Sequence, residues 1–347
     1  MDNVEKRTWT TRDFKLELGG ALPELTLAYE SYGRLAADGR NAVLVTHGFT
    51  SSHHAAGRHA PGDAAAGWWD GLIGPGKAID TDRFFVVASN MLGSSYGSTA
   101  PASVDPRTGR RYGPDFPDIT LRDIVGAQRA MLDGLGVRHL VAVAGPSYGG
   151  FQAFQWAVTY PDAMHGIVAV VTSPTAPVGE EAVTALRERF AADPAWHGGH
   201  HYERGSMVAA MTAQRLETLE RYGTRELVAR TIGDPTARDA TLRRQAAAWA
   251  QEFDPNSLIT LRKAMVRFDA KRDFARLRAR VLYVLSRTDK IFPPSLALGV
   301  MDALAKAGVP ARYVEIDTDL GHVASGHEWA QWGPALRTFL EECAALA

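Results

Sequence analysis

The stretch Leu140-Val141-Ala142-Val143-Ala144-Gly145-Pro146-Ser147-Tyr148-Gly149-Gly150-Phe151-Gln152-Ala153-Phe154-Gln155-Trp156-Ala157 decides the architecture. Its first five residues are an unbroken apolar run, as expected of a strand buried on both faces. Its last seven read as a helix, which Tyr160-Pro161 ends. Between them, Gly145-Pro146-Ser147-Tyr148-Gly149 fits Gly-x-Ser-x-Gly. A serine at a sharp strand-to-helix turn is held out at the end of its strand, and the glycines relieve crowding there. The pattern recurs at Gly93-Ser94-Ser95-Tyr96-Gly97. A strand precedes that copy too, but Ser98-Thr99-Ala100-Pro101-Ala102 is a poor helix start. Context therefore assigns the nucleophile to Ser147. Gly93–Ser98 is left as a turn lining the site or packing beneath it.

Outward from this unit, strands are predicted at Leu25–Tyr32, Ala42–Thr46, Phe84–Ser89, His139–Ala144, Gly166–Thr172, Arg280–Leu285 and Arg312–Ile316. Helices are predicted at Leu121–Leu135, Tyr148–Tyr160, Leu296–Ala307 and from about Trp329 to Ala345. Alternation of this kind implies an α/β protein, a mostly parallel central sheet with helices on both faces. Residues 175–275 break the rhythm. They hold no convincing strand but carry amphipathic patterns near Glu180–Ala192, Ser206–Tyr222, Glu226–Ile232 and Asp239–Phe253. The expected division is a core of 1–174 with 276–347, and a helical insertion at 175–275.

A serine hydroxyl needs a base to take its proton. In an α/β-hydrolase fold the chain order is serine, acid, histidine. Asp289 follows the strand Val281–Leu285, and His322 follows the last strand, so both stand at strand ends in the required order. Asp317 and Asp319 remain alternatives for the acid, and His327 for the base. The oxyanion of an acyl-transfer intermediate needs backbone N–H donors. Tyr148 follows the nucleophile, and Phe49 lies in the turn Thr46-His47-Gly48-Phe49-Thr50; these are the candidates. His53, His54 and His59, and His197, His200 and His201, lie in Gly/Ala-rich loops without helical ligand spacing. They read as solvated, with no metal site.

The chain has 347 residues and a formal net charge of -1, with no basic excess to suit nucleic acid. Its single cysteine, Cys343, allows no intrachain disulfide. The polar N-terminus has no signal-peptide core, and no apolar run is long enough to span a membrane. A cytoplasmic enzyme acting on small molecules is expected.

Longer blocks carry a resemblance. They are Gly67-Trp68-Trp69-Asp70-Gly71-Leu72-Ile73-Gly74-Pro75-Gly76-Lys77-Ala78-Ile79-Asp80-Thr81-Asp82-Arg83, Tyr96-Gly97-Ser98-Thr99, Asp115-Phe116-Pro117, Asp193-Pro194 with Trp196, Phe253-Asp254-Pro255-Asn256-Ser257 and Phe292-Pro293-Pro294. Together they resemble the homoserine O-acetyltransferase family over nearly the whole chain. The resemblance implies a helical lid over the triad and an acyl-serine intermediate. It also implies acetyl-CoA as co-substrate if the enzyme is a transferase, and a homodimer. The chain departs where the family has aspartate after the catalytic histidine to hold the substrate ammonium: here stands Val323. His47-Gly48-Phe49-Thr50 is closer to ordinary esterases. These departures point to hydrolysis of short-chain acetyl esters, with transfer to homoserine or another alcohol as the alternative. Val323, Arg187 and Tyr202 are the candidate substrate contacts. No other cofactor is implied.

Overall fold

The computed structural model describes residues 1–346. Eight strands form the central sheet: β1 (Arg7–Lys15), β2 (Ala21–Tyr32), β3 (Ala42–Thr46), β4 (Phe85–Ser89), β5 (Leu140–Pro146), β6 (Met164–Val170), β7 (Arg280–Ser286) and β8 (Ala311–Ile316). Their order is β1-β2-β4-β3-β5-β6-β7-β8. β1 pairs antiparallel with β2, and β2 with β4. Every other pairing is parallel. β1 escapes the sequence reading because its burial alternates weakly and most of its residues are exposed. It is an edge strand, so it lacks the apolar run that marks the central ones.

The helices are α1 (Leu121–Gly134), α2 (Tyr148–Thr159), α3 (Glu181–Ala191), α4 (Val208–Tyr222), α5 (Thr224–Ala229), α6 (Pro235–Glu252), α7 (Pro255–Val266), α8 (Leu296–Lys306), a single turn α9 (Ala324–His327) and α10 (Trp329–Ala344). Strand side chains alternate between two cores. Leu140 and Val143 of β5 pack with residues of α1, α2 and α8. Val141 and Ala144 pack instead with Trp332, Leu336 and Phe339 of α10. Burying a side chain of this size contributes about 1.5–3 kcal/mol, so a two-sided sheet holds its register strongly.

Helices α3 to α7 lie between β6 and β7. α4 and α6 share a small apolar cluster of their own around Leu219, Leu242 and Ala246. α7 was not expected. Asp254 caps it through Ser257 N, Pro255 opens it, and most of its residues are buried. Its burial nearly all round gives it little of the one-sided periodicity by which a helix is read. No helix among the described residues is long and apolar enough to cross a membrane.

Candidate active site

Ser147 stands between the end of β5 and the first residue of α2 with φ 56° and ψ −121°. Such a backbone costs on the order of 1–3 kcal/mol and persists only when its surroundings enforce it. Ser147 N donates to Val170 O at 2.8 Å, and Thr172 Oγ1 donates to Ser147 O at 2.7 Å. The glycines make the turn possible. A Cβ on Gly145 would lie 2.2 Å from Thr46 Oγ1, and one on Gly149 would lie 2.3 Å from Thr46 O. The second Gly-x-Ser-x-Gly copy packs beneath this site. Ser95 is buried, its Oγ accepts from Asp254 N at 2.9 Å, and its carbonyl accepts from Asn90. Asn90 in turn holds the His47 ring at 2.8 Å.

Asp289 and His322 are brought together, with His322 Nδ1 and Asp289 Oδ2 2.8 Å apart and both buried. Burial pushes the Asp289 carboxyl up. The charge and hydrogen bond of His322 and the N–H groups of Ile291 and Phe292 outweigh that, and the net shift is downward. Asp289 is thus an ionised, oriented partner for the ring. The ring lies between Tyr222 and Phe292, with centroids 4.7 and 5.8 Å away. Asp317 and Asp319 do not reach it: Asp317 pairs with Arg287, and Asp319 with Arg230 at 2.6 Å. Ser147 and His322 line one cavity, where His327 is also found. Ser147 Oγ makes no hydrogen bond among the described residues, and such contacts commonly tighten only with substrate bound.

Phe49 lies in the loop after β3, and Gly48 comes close to the Ser147 side chain. Neither Phe49 N–H nor Tyr148 N–H is engaged by another group among the described residues. Two free donors flanking the serine fit an oxyanion site. The Phe49 ring stacks on Tyr148 at 5.8 Å, and the Arg262 guanidinium lies 4.8 Å from its centre.

Two cavities of about 260 Å³ each open at Ser147. One runs under Phe151, Leu258, Met265 and Phe292 and includes Arg221, Arg262 and Lys290. The other holds Trp68, Trp69, Arg215, Tyr222, His322 and Val323. Neither is lined by a carboxylate. Val323 is part of the wall of the second cavity. The carboxylates on either side in sequence are both engaged, Asp319 by Arg230 at 2.6 Å and Glu328 by Arg230 at 2.8 Å and by Thr318.

Arg187 and Tyr202 line neither of these cavities. Arg187 is exposed, because α3 turns Leu186 rather than its neighbour toward the cavity. Tyr202 lines a separate cavity with Arg110, Arg111 and His200, and its hydroxyl accepts from Asn256 at 3.1 Å. The insertion contributes other residues. Arg215 of α4 donates to Thr50 Oγ1 at 2.6 Å and lies 4.9 Å over the Trp249 ring, while Trp249 Nε1 donates to Thr50 O. These contacts position the guanidinium without neutralising it. Among the described residues Arg215, Arg221, Arg262 and Lys290 form no ion pair, and Arg262 Nε is buried without a partner. Burial pushes the pKa of both Arg215 and Arg262 down. The missed signal was Arg215 and Tyr222 at i, i+7, one face of one helix.

The histidine loops also differ from expectation. His53 and His201 are buried, not solvated. His201 packs flat against Trp196 and lies 3.5 Å from Asp254. His53, His54 and His59 gather around Glu30.

Residues 41–326 match the α/β-hydrolase fold family, so the protein is an enzyme of the α/β-hydrolase class. A homoserine O-acetyltransferase of Symbiobacterium thermophilum is 39% identical over 95% of this chain and 92% of its own length. A homoserine O-succinyltransferase of Alkalilimnicola ehrlichii is 36% identical over 94% of this chain and 91% of its own. The chain belongs to this family of homoserine O-acyltransferases and related hydrolases. Among solved structures, esterase E22 superposes with a TM-score of 0.89 at 29% identity, covering 97% of this chain and 100% of that one.

Proposed function

We propose that the chain transfers an acyl group from a coenzyme A thioester, through an ester on Ser147, to the hydroxyl of a small acceptor that carries a carboxylate. His322 takes the Ser147 proton as Oγ attacks the thioester carbonyl, and Phe49 and Tyr148 N–H groups receive the oxyanion. The thiolate leaves with the proton from His322. In the second half, His322 takes the acceptor hydroxyl proton, that oxygen attacks the acyl-serine, and Ser147 leaves with the proton. Asp289 keeps the ring in one tautomer throughout.

The observation that carries this reading is Arg215. A half-buried guanidinium in the same cavity as Ser147 and His322, without a carboxylate partner, is costly to the protein alone. It becomes favourable when a substrate carboxylate completes the pair. An enzyme for neutral esters has no use for it. Homoserine, the acceptor named for the curated relatives, carries such a carboxylate; acetyl-CoA and succinyl-CoA are the donors to try. This weighs against simple ester hydrolysis as the main activity.

A second reading, hydrolysis with water as acceptor, is favoured by one observation. Val323 stands where an amino-acid ammonium would need an anion, and neither cavity lining supplies one. The test is release of free CoA from acetyl-CoA or succinyl-CoA with and without homoserine, beside hydrolysis of a small acetyl ester. A rate raised about tenfold or more by homoserine, a 1.4 kcal/mol preference over water, is expected. Fast ester hydrolysis with no response to homoserine would move the assignment to the second reading.

A further inference from the structure

Glu30 is a buried carboxylate with no lysine or arginine within 4.0 Å among the described residues, and imidazoles surround it. It sits on β2 with its side chain 0% exposed. His59 Nε2 lies 2.7 Å from Oε1, and His54 Nδ1 lies 3.1 Å from Oε2. His53 Nε2 lies 4.0 Å from Oε1. His53 is 5% exposed, and neither of its ring nitrogens has a hydrogen-bond partner. Tyr32 donates to Glu30 Oε2 at 2.6 Å, and its oxygen accepts from Ala56 N at 3.1 Å, so the carboxylate is fixed from behind. Burial raises the Glu30 pKa, but hydrogen bonds from His54, Tyr32 and His59 outweigh it and lower it overall. Among the described residues no lysine or arginine pairs with it; only imidazoles do.

We infer that Glu30, His54 and His59, with His53 as fourth ligand, form a structural site for a divalent metal ion of the zinc class. Three imidazoles and one carboxylate are a donor set such ions accept, in a closed tetrahedral shell. Ligand atoms at about 2.0–2.1 Å from a tetrahedral zinc are about 3.3 Å from one another. The Glu30, His54 and His59 donors lie within 4.8 Å of one another, and the His54 and His59 contacts to Glu30, 3.1 and 2.7 Å, are slightly tighter than that spacing. His53 Nε2, 4.0 Å from Glu30 Oε1, is the donor that would move in to close the shell. The bound cation gives Glu30 its counter-charge and gives His53 a partner. Tyr32 plays the orienting role that supports metal-binding carboxylates. The site fastens the loop after β3 to β2. That loop carries Phe49 and Thr50 near its start and reaches Trp68, whose Nε1 donates to Ser52 O at 2.9 Å. A metal here acts on the walls of the acceptor cavity without touching the reacting atoms.

The test uses the full chain, stripped with a chelator and then equilibrated with Zn²⁺ or Co²⁺. Elemental analysis after removal of free ion should find about one zinc per chain. Co²⁺ should give the intense visible absorption of a four-coordinate site, and Zn²⁺ should raise the thermal midpoint by a few degrees. His59→Ala, at a partly exposed loop position, should lose at least about tenfold in zinc affinity, and the thermal shift with it. His53→Gln should lose affinity similarly, while His200→Ala, in the other histidine loop, should bind as wild type. Wild-type protein that retains less than about a tenth of an ion per chain overturns the proposal. So does binding that is unchanged in both His59→Ala and His53→Gln.

Discussion

The strand ends and the helical insertion supply the two halves of this site, and they obey different rules. Ser147, Asp289 and His322 stand where the backbone of a parallel sheet terminates. Each is fixed by local geometry: a strained turn, two N–H groups on a carboxylate, a ring between two aromatics. Arg215, Tyr222 and Arg262 come from α4 and α7, and only tertiary packing brings them over Ser147. The first half defines what chemistry is possible. On the proposed function, the second decides which molecule receives the acyl group.

The largest effect that separates the halves lies at the nucleophile. Ser147→Ala should lower kcat about 10⁶-fold with every donor and acceptor. Ser95→Ala, in the buried turn beneath, should keep most activity. A dead Ser95→Ala with an active Ser147→Ala would move the chemistry to the other motif. In the insertion, Arg215→Ala should raise KM for a carboxylate-bearing acceptor about 10- to 100-fold, since a charge-assisted hydrogen bond is worth about 1.5–3 kcal/mol. Acylation of Ser147 by a neutral acetyl ester should change little. An equal loss in both reactions would show that Arg215 only supports the fold.

A smaller effect is expected at Val323. Val323→Asp places a carboxylate in the cavity beside His322. It should lower KM for homoserine by several-fold and weaken hydrolysis of neutral esters, as an exposed to half-buried ion pair of about 1 kcal/mol allows. No change in either would mean that the acceptor ammonium lies elsewhere.

Sequence made the strand-end half legible because its signals are local and ordered along the chain. An apolar run, a turn with glycines and a helix fall within 18 consecutive residues at 140–157, and Asp289 and His322 follow their strands in the expected succession. β1 was not legible, since an exposed edge strand leaves no apolar pattern. The acceptor side was less legible for a related reason at Arg187, while Tyr202, in a turn before α4, lines another cavity. Polar residues on amphipathic helices all look alike until a rotation about the helix axis decides which one faces inward. α3 turns Leu186 to the cavity and Arg187 to solvent, whereas α4 turns Arg215 inward. The histidines of the loop after β3 had no helical spacing to mark them. Their partner, Glu30, lies at least 23 residues earlier in the chain.

The subtlest contrast is in pH dependence. Burial pushes His47, under the oxyanion loop, down to about 4, against hydrogen bonds to Gly48 and Asn90 that favour its charged form. Its folded pKa is below the unfolded value of about 6.5, so the unfolded chain takes up the proton first. The stability this group contributes is full above about pH 6.5 and is lost as pH falls toward 4. Between pH 7 and 5 that amounts to about 2 kcal/mol. His53 and His139 are also pushed down to about 4, mainly by burial, and act with the same sign. Urea titrations should therefore show a lower midpoint at pH 5 than at pH 7, and His47→Gln should remove part of the difference. An unchanged midpoint would mean that these rings are charged in the folded protein.

The partition of the acyl-enzyme between acceptor and water tests the central claim most directly. Ser147 is loaded from isotopically labelled acetyl-CoA or succinyl-CoA, and the label is followed into an ester of homoserine or into the free acid. With saturating homoserine, most of the label should leave as the ester in wild type and as the free acid in Arg215→Ala. Label that leaves as free acid from both proteins, at a rate homoserine does not alter, would contradict transfer and make water the acceptor.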